Sequence, residues 1–197
     1  VAESTLRKAP CPILTVGASV PPHPPVNSRR LSIARFLVAT DFSAASKTAL
    51  RTAVELAKRL NARVLLVHVT EPSDSLQPDP LRVDELSQRR YGQQFQKIIS
   101  ASRGDEVITD KIVITGNPVK VILNQAKHRK TDLIIVGTRG HRGMQRLMLG
   151  SVAEAVVRSA ACPVFTVRAE VRNPFKVTTG TRRSPLRHRS AGKSSLV

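Results

Sequence analysis

Between residues 31 and 168, short apolar runs of strand character alternate with stretches whose apolar residues recur at helical spacing. Phe36-Leu-Val-Ala-Thr40 suits a buried strand and ends at Asp41-Phe42-Ser43. Ala49, Leu50, Ala53, Val54, Ala57 and Leu60 then mark one face of a helix, with Ser43 placed to cap it and Asn61 to stop it. Val64-Leu-Leu-Val-His-Val69 returns to a strand. Two strands joined through a helix pair in parallel, because a tight turn cannot make that crossover. The alternation continues with a helix from about Val83 to Ala101, interrupted by Gly92, and a strand at Lys111 to Thr115. Next come a helix capped by Asn117 with Pro118 at its first position, a strand at Asp132-Leu-Ile-Ile-Val-Gly137, a helix from Ser151 to Ser159, and a strand at Pro163 to Val167. The predicted fold class is α/β: an open, doubly wound, five-stranded parallel sheet sandwiched by helices.

The chain also carries an internal echo. Val1-Ala-Glu-Ser-Thr-Leu-Arg-Lys-Ala-Pro-Cys-Pro-Ile-Leu-Thr-Val16 repeats at Val152 to Val167, 151 positions later, with nine of sixteen residues identical. The second copy closes a set of elements that makes a whole domain, whereas the first has no such set before it. Residues 1–16 therefore read as the last helix and strand of a preceding repeat, residues 17–30 as a Pro-rich linker around Pro21-Pro-His-Pro-Pro25, and residues 31–168 as a complete domain. In a tandem protein, Ile13 to Val16 is expected to pair antiparallel with Val164 to Val167. Such pairing would cover an edge that otherwise invites association.

A net charge of +18 divides into +3 for residues 1–30, +9 for 31–168 and +6 for 169–197. The last segment is the most basic per residue, and its Arg, Ser, Gly and Pro content predicts a disordered tail. It is read either as a solvated extension or as a nucleic-acid contact, the second without the interleaved aromatics that single-strand binders use. Cys11 and Cys162 hold the same place in the two copies and are expected to be buried, unpaired thiols of a cytoplasmic protein. No apolar run approaches the roughly 18 residues that span a bilayer.

In doubly wound sheets, ligands lie beyond the carboxyl ends of the strands. Three segments fall there: Thr40-Asp41, Val69, and the loop from Gly137 to Ser151. Gly137, Gly140 and Gly150 allow backbone amides to approach an anion, and Gly150-Ser151 opens a helix whose unsatisfied N–H groups favour phosphate. Alternatively, the glycines only shape a turn and Ser151 only caps the helix. Asp41 likewise serves either a ligand or the start of its own helix. Arg139, His141 and Arg142 stand in the loop, as phosphate partners or as solvated cations.

The spacing G-x2-G-x9-G-[S/T] at Gly137, Gly140, Gly150 and Ser151 resembles the ATP-binding branch of the universal stress protein family. Thr40-Asp41-Phe42-Ser43, His68-Val69, Gly116-Asn117-Pro118 and Cys162-Pro163 resemble the strand ends of that family in the same order. The resemblance implies an ATP-binding, nucleotide-responsive stress regulator. Asp41 would accept from the adenine amino group and the backbone of Val69 would touch the base, with Thr40 at the same strand end. Val136 and Val152 would lie along the nucleotide, and Gly140, Gly150 and Ser151, with Arg139 nearby, would hold the phosphates. It also implies dimers paired through the last strand. No catalytic set is expected: the lysine of a G-x4-G-K-[ST] loop is missing, so any ATP hydrolysis would be slow, with Mg²⁺ held by the phosphates and Ser151. The five histidines form no metal-ligand cluster, and His68 reads as a core residue with one hydrogen bond.

Overall fold

A computed structural model describes residues 9, 11–17, 33–71, 80–138 and 150–169. In chain order the elements are β1 (Ile13–Thr15), β2 (Arg35–Ala39), α1 (Ala44–Leu60), β3 (Arg63–Thr70), α2 (Pro80–Ser102), β4 (Ile108–Thr115), α3 (Pro118–His128), β5 (Leu133–Gly137), α4 (Ser151–Ser159) and β6 (Val164–Val167). They form one sheet in the order β1-β6-β5-β2-β3-β4. The five strands β2 to β6 are parallel to their neighbours among themselves. Expected as five-stranded, the sheet has a sixth, because β1 adds antiparallel to β6 with Ile13 opposite Thr166 and Thr15 opposite Val164. An assembly through a bare β6 edge would require β1 to leave it. The proposed helix in residues 1–8, nearly all of the linker and residues 170–197 of the tail lie outside the described residues.

Local signals explain the element ends. Ser43 Oγ accepts from the Ser46 amide, and Asn61 stops α1 in the left-handed region at φ 53°. Asn117 caps α3 by accepting from the Lys120 amide, with Pro118 inside the first turn. Helix α2 runs through Gly92, where an added Cβ would meet open space, so this glycine costs only helix propensity. Strand β4 begins three residues before the expected Lys111, extended by its pairing with β3 across an irregularity at Val64/Leu65.

Each face of the sheet carries two helices. On one, α1 and α2 bury Ala49, Leu50, Ala53, Val54, Phe95, Ile98 and Ile99 against Phe36, Val38, Val64, Leu66 and Ile135. On the other, α3 and α4 bury Ile122, Ala126, Ala153 and Val156 against Leu37, Leu65, Val67, Ile134 and Val136. Central strands covered on both sides read as continuous apolar runs, since successive side chains point to opposite layers. The thiols differ from expectation: Cys11 is exposed and Cys162 half-buried, because the short β1 lies at the sheet's rim.

The amino ends of the central strands are tied together. Asp132 Oδ2 accepts from the Ala34 and Arg35 amides at 3.0 and 2.9 Å, and Oδ1 accepts from Arg35 Nη2 at 3.2 Å. At the opposite end, a Cβ on Gly137 would sit 2.8 Å from Ala45 C and Ser46 N, so β5 and α1 approach more closely than any side chain permits. Two expectations follow. Asp132→Ala strands two strand-end amides and should cost about 1–3 kcal/mol in urea unfolding. Gly137→Ala, which must push backbone apart, should cost about 1–3 kcal/mol and lower the thermal midpoint measurably.

Candidate functional site

The chain order β2-β3-β4 runs outward on one side of β2, whereas β5 and β6 lie on the other. The connections leaving β2 and β5 therefore diverge at adjacent strands, which opens a crevice at their carboxyl ends. A cavity of about 520 Å³ occupies it, well within the usual size of a small-molecule site.

The β2–α1 turn forms one wall. Phe42 holds φ 63°, a region costly for a bulky residue. The turn is over-determined. Thr40 Oγ1 accepts from the Phe42 amide at 3.0 Å and donates to Ser46 Oγ at 3.1 Å. Asp41 Oδ1 accepts from the Ser43 amide at 3.0 Å, and the Phe42 ring packs against Tyr91 and Phe95. Asp41 thus does serve the start of α1, and it also lines the cavity.

The start of α4 forms another part of the wall. Gly150 is the N-cap, with no side-chain cap hydrogen bond, and its amide donates to the Thr138 carbonyl at 2.8 Å, closing the stem of the 139–149 loop. Ser151 is the first helical residue, exposed at the cavity, and not the cap that one sequence reading made it. The first-turn amides after Gly150 have no intrahelical acceptor, so the cavity meets the positive end of a helix.

Of the residues singled out from sequence, Thr40, Asp41, Val69, Val136, Gly137, Gly150, Ser151 and Val152 all line this one cavity. Arg139 and Gly140, like His141 and Arg142, lie outside the described residues. Gly137 borders the cavity and also performs the packing role given above. Ile122 and Pro118 of α3 add apolar wall, and Glu71 adds a carboxylate at the rim. Among the described residues, no group of three or more His, Cys, Asp or Glu could hold a metal ion. No helix among them is long and apolar enough to cross a membrane.

Among the cavity residues not chosen from sequence, Tyr91 and His68 matter most to its chemistry. Tyr91 of α2 reaches the site by tertiary packing that no local pattern announces. His68 is buried, at 9% exposure, and bonds through Nδ1 to the Thr40 carbonyl at 2.8 Å, the single hydrogen bond expected of a core residue. Yet it sits one residue from the end of β3's apolar run and borders the cavity as well. Its ring lies 4.5 Å from that of Tyr91 and 4.7 Å from that of Phe42, centroid to centroid.

Burial pushes the His68 imidazole below its ordinary pKa of 6.5, outweighing the Thr40 hydrogen bond and the negative charge of Asp41, which act the other way. A depressed histidine pKa means that the unfolded chain binds this proton first as pH falls. The stability contribution of neutral His68 is therefore full above 6.5 and is lost as pH drops through the lower folded value. Wild-type urea midpoints should fall more steeply between about pH 7 and about pH 5 than those of His68→Phe, which has no proton to take up.

The sequence of residues 33–168 matches the model of the universal stress protein family. A universal stress protein of Methanocaldococcus jannaschii, MJ0531, is 30% identical over 138 residues, covering 68% of this chain and 81% of the relative. Universal stress protein YxiE of Bacillus subtilis is 33% identical over 147 residues, covering 68% of this chain and 98% of the relative. Among solved structures, the universal stress protein UspA from Lactobacillus plantarum superposes with a TM-score of 0.55 at 26% identity, covering 71% of this chain and all of that one (100%). A universal stress protein solved in complex with cAMP shares the fold, with a TM-score of 0.52 at 22% identity, covering 70% of this chain and 98% of that one. By its sequence and its mostly parallel, helix-flanked sheet, this chain belongs to the universal stress protein family.

Proposed function

We propose that the domain binds ATP in the switch-point cavity and works as a nucleotide-responsive regulator, with at most slow hydrolysis. The observation that carries this reading is the meeting of three unlike surfaces in one cavity of about 520 Å³. A helix start without a side-chain cap, a turn bearing a carboxylate and an apolar wall all line it. That combination fits a nucleotide, which is anionic at one end and flat and N–H bearing at the other.

In this reading the Ser151 hydroxyl and the amides that follow Gly150 take phosphate, joined by Gly140 and Arg139. Val136 and Val152 flank the ligand, and Asp41 with the backbone of Val69 meets the base. Mg²⁺ would be held by phosphate oxygens and Ser151. Bound ATP supplies charge and contact on two helix ends at once. The protein's own residues orient it. In the same reading residues 1–16 are the last helix and strand of a preceding repeat, of which β1 (Ile13–Thr15) is the strand on the β6 edge.

Calorimetric titration of the chain with ATP and Mg²⁺ tests the reading. Saturable binding is expected, weakened about tenfold or more by Asp41→Ala through loss of a charge-assisted hydrogen bond, and abolished by Gly150→Trp, whose side chain would stand in the cavity. A folded wild-type chain that takes up no ATP would overturn it.

A further inference from the structure

The base end of the cavity contains a second acceptor besides Asp41. The Thr40 carbonyl can only accept, so the 2.8 Å contact places the proton on Nδ1 of His68. In the neutral ring, Nε2 is then a bare acceptor. His68 is nine-tenths buried and lines the cavity, and Nε2 has no hydrogen-bond partner among the described residues. The ring cannot turn freely, because Phe42 and Tyr91 stand 4.7 and 4.5 Å from it and Thr40 anchors its other nitrogen.

We propose that His68 is a specificity-determining residue whose Nε2 accepts a hydrogen bond from the exocyclic amino group of the ligand's base, selecting 6-aminopurine over 6-oxopurine nucleotides. This rests on the nucleotide reading of the same cavity. The chemistry of the corner favours it. Asp41 and His68 are near enough for the carboxylate's charge to act on the imidazole, so acceptors face the base from β3 and from the β2–α1 turn. A 6-oxo group would set a carbonyl against those acceptors and leave them unpaired, a mismatch that polar sites reject strongly. Tyr91, which lines the cavity beside His68 and is backed by the buried Phe42 ring, supplies flat apolar surface that suits a purine ring. Burial keeps the imidazole neutral near pH 7, the state in which Nε2 accepts.

The test compares ATP with ITP, which differ at that amino group and share sugar and phosphates, on the full chain by calorimetry. Wild type should prefer ATP by about tenfold or more. His68→Phe keeps an aromatic ring between Phe42 and Tyr91 but offers no acceptor, and should reduce that preference about fivefold or more. His68→Gln, which returns an amide oxygen, should restore part of it. A measurement on the unaltered protein guards against misfolding of the variants. As pH falls from about 7.5 through the lowered pKa of His68, the wild-type ATP-to-ITP ratio should shrink as Nε2 gains a proton. Phosphate titration cancels in that ratio, while Asp41, Glu71 and Tyr91 are the other titratable groups lining the cavity. An unchanged ratio in folded His68→Phe, or a wild-type ratio that stays constant while the His68 imidazole itself is seen to titrate by NMR, overturns the role of His68 while leaving ATP binding standing. Absence of ATP binding by wild type overturns both.

Discussion

The first turn of α1 rests on the end of β5 with no room for a side chain between them, and the site is organised around that contact. Gly137 makes it possible, since any Cβ there would lie 2.8 Å from the backbone of Ala45 and Ser46. The consequence is geometric. The turn leaving β2 and the stem leaving β5 are held side by side at the switch point, so Asp41 and Ser151 border one cavity although 110 residues separate them. The β2–α1 turn accepts a strained Phe42 to remain there, and the hydroxyls of Thr40 and Ser46 with the Phe42 ring packing hold the strain in place.

The two ends of the sheet are built for different purposes. At the amino ends, backbone bonds close the gaps: the Arg63 amide reaches the Ala34 carbonyl at 2.7 Å and the Asp132 amide reaches the Arg35 carbonyl at 2.8 Å, with the Asp132 carboxylate over them. The carboxyl ends stay open, with polar groups that serve the turns and also face the cavity. Burial of the strands on both faces supplies the stability this asymmetry draws on. Leu37, Leu66, Ile134 and Ile135 are wholly buried, each contributing about 1.5–3 kcal/mol before entropy is counted.

Much of this was legible in the sequence because it depends on local rules. Apolar runs declare strands, helical spacing declares α1 and α3, and Ser43, Asn61, Asn117 and Pro118 mark element ends whatever surrounds them. The glycine spacing and Thr40-Asp41 were legible as strand-end features, and the structure brings eight of the ten chosen residues to one cavity. Tyr91 was not legible: it lies in a helix whose pattern Gly92 blurs, and only the packing of α2 against α1 and β4 carries its ring to His68. The left-handed backbone of Phe42 has no local signal either, since a bulky residue is the last expected there. His68 was half legible. Its single hydrogen bond follows from burial in a strand, while its place on the cavity follows from β3 running on past the end of β2, whose pairing stops at Val67, a tertiary fact.

The edges of the sheet separate assembly from the ligand site. On the β4 side, Asp110 and Arg129 pair at 3.1 Å beside exposed Lys111, charges that discourage another strand from adding. On the other side, β1 already fills the edge of β6, and its three residues present a margin too short to template much further pairing, although Leu14 is 55% exposed. The cavity, in contrast, borders β2, β3 and β5. Between β1 and that cavity stands β6, joined to β5 from Ile134 with Val164 to Gly137 with Val167. The last of these pairs lies at the stem of the glycine loop, where the Thr138 amide also bonds the Val167 carbonyl at 2.8 Å. Edge and site therefore meet at the carboxyl end of β6 and also through the apolar cluster on which Ile13 packs, which contains Val136 and Ala153 of the cavity. A movement of β1 would be felt at the start of α4 by two routes, through the β6 residues it pairs with and through the packing of Ile13 against the cluster of Ala153 and Val156.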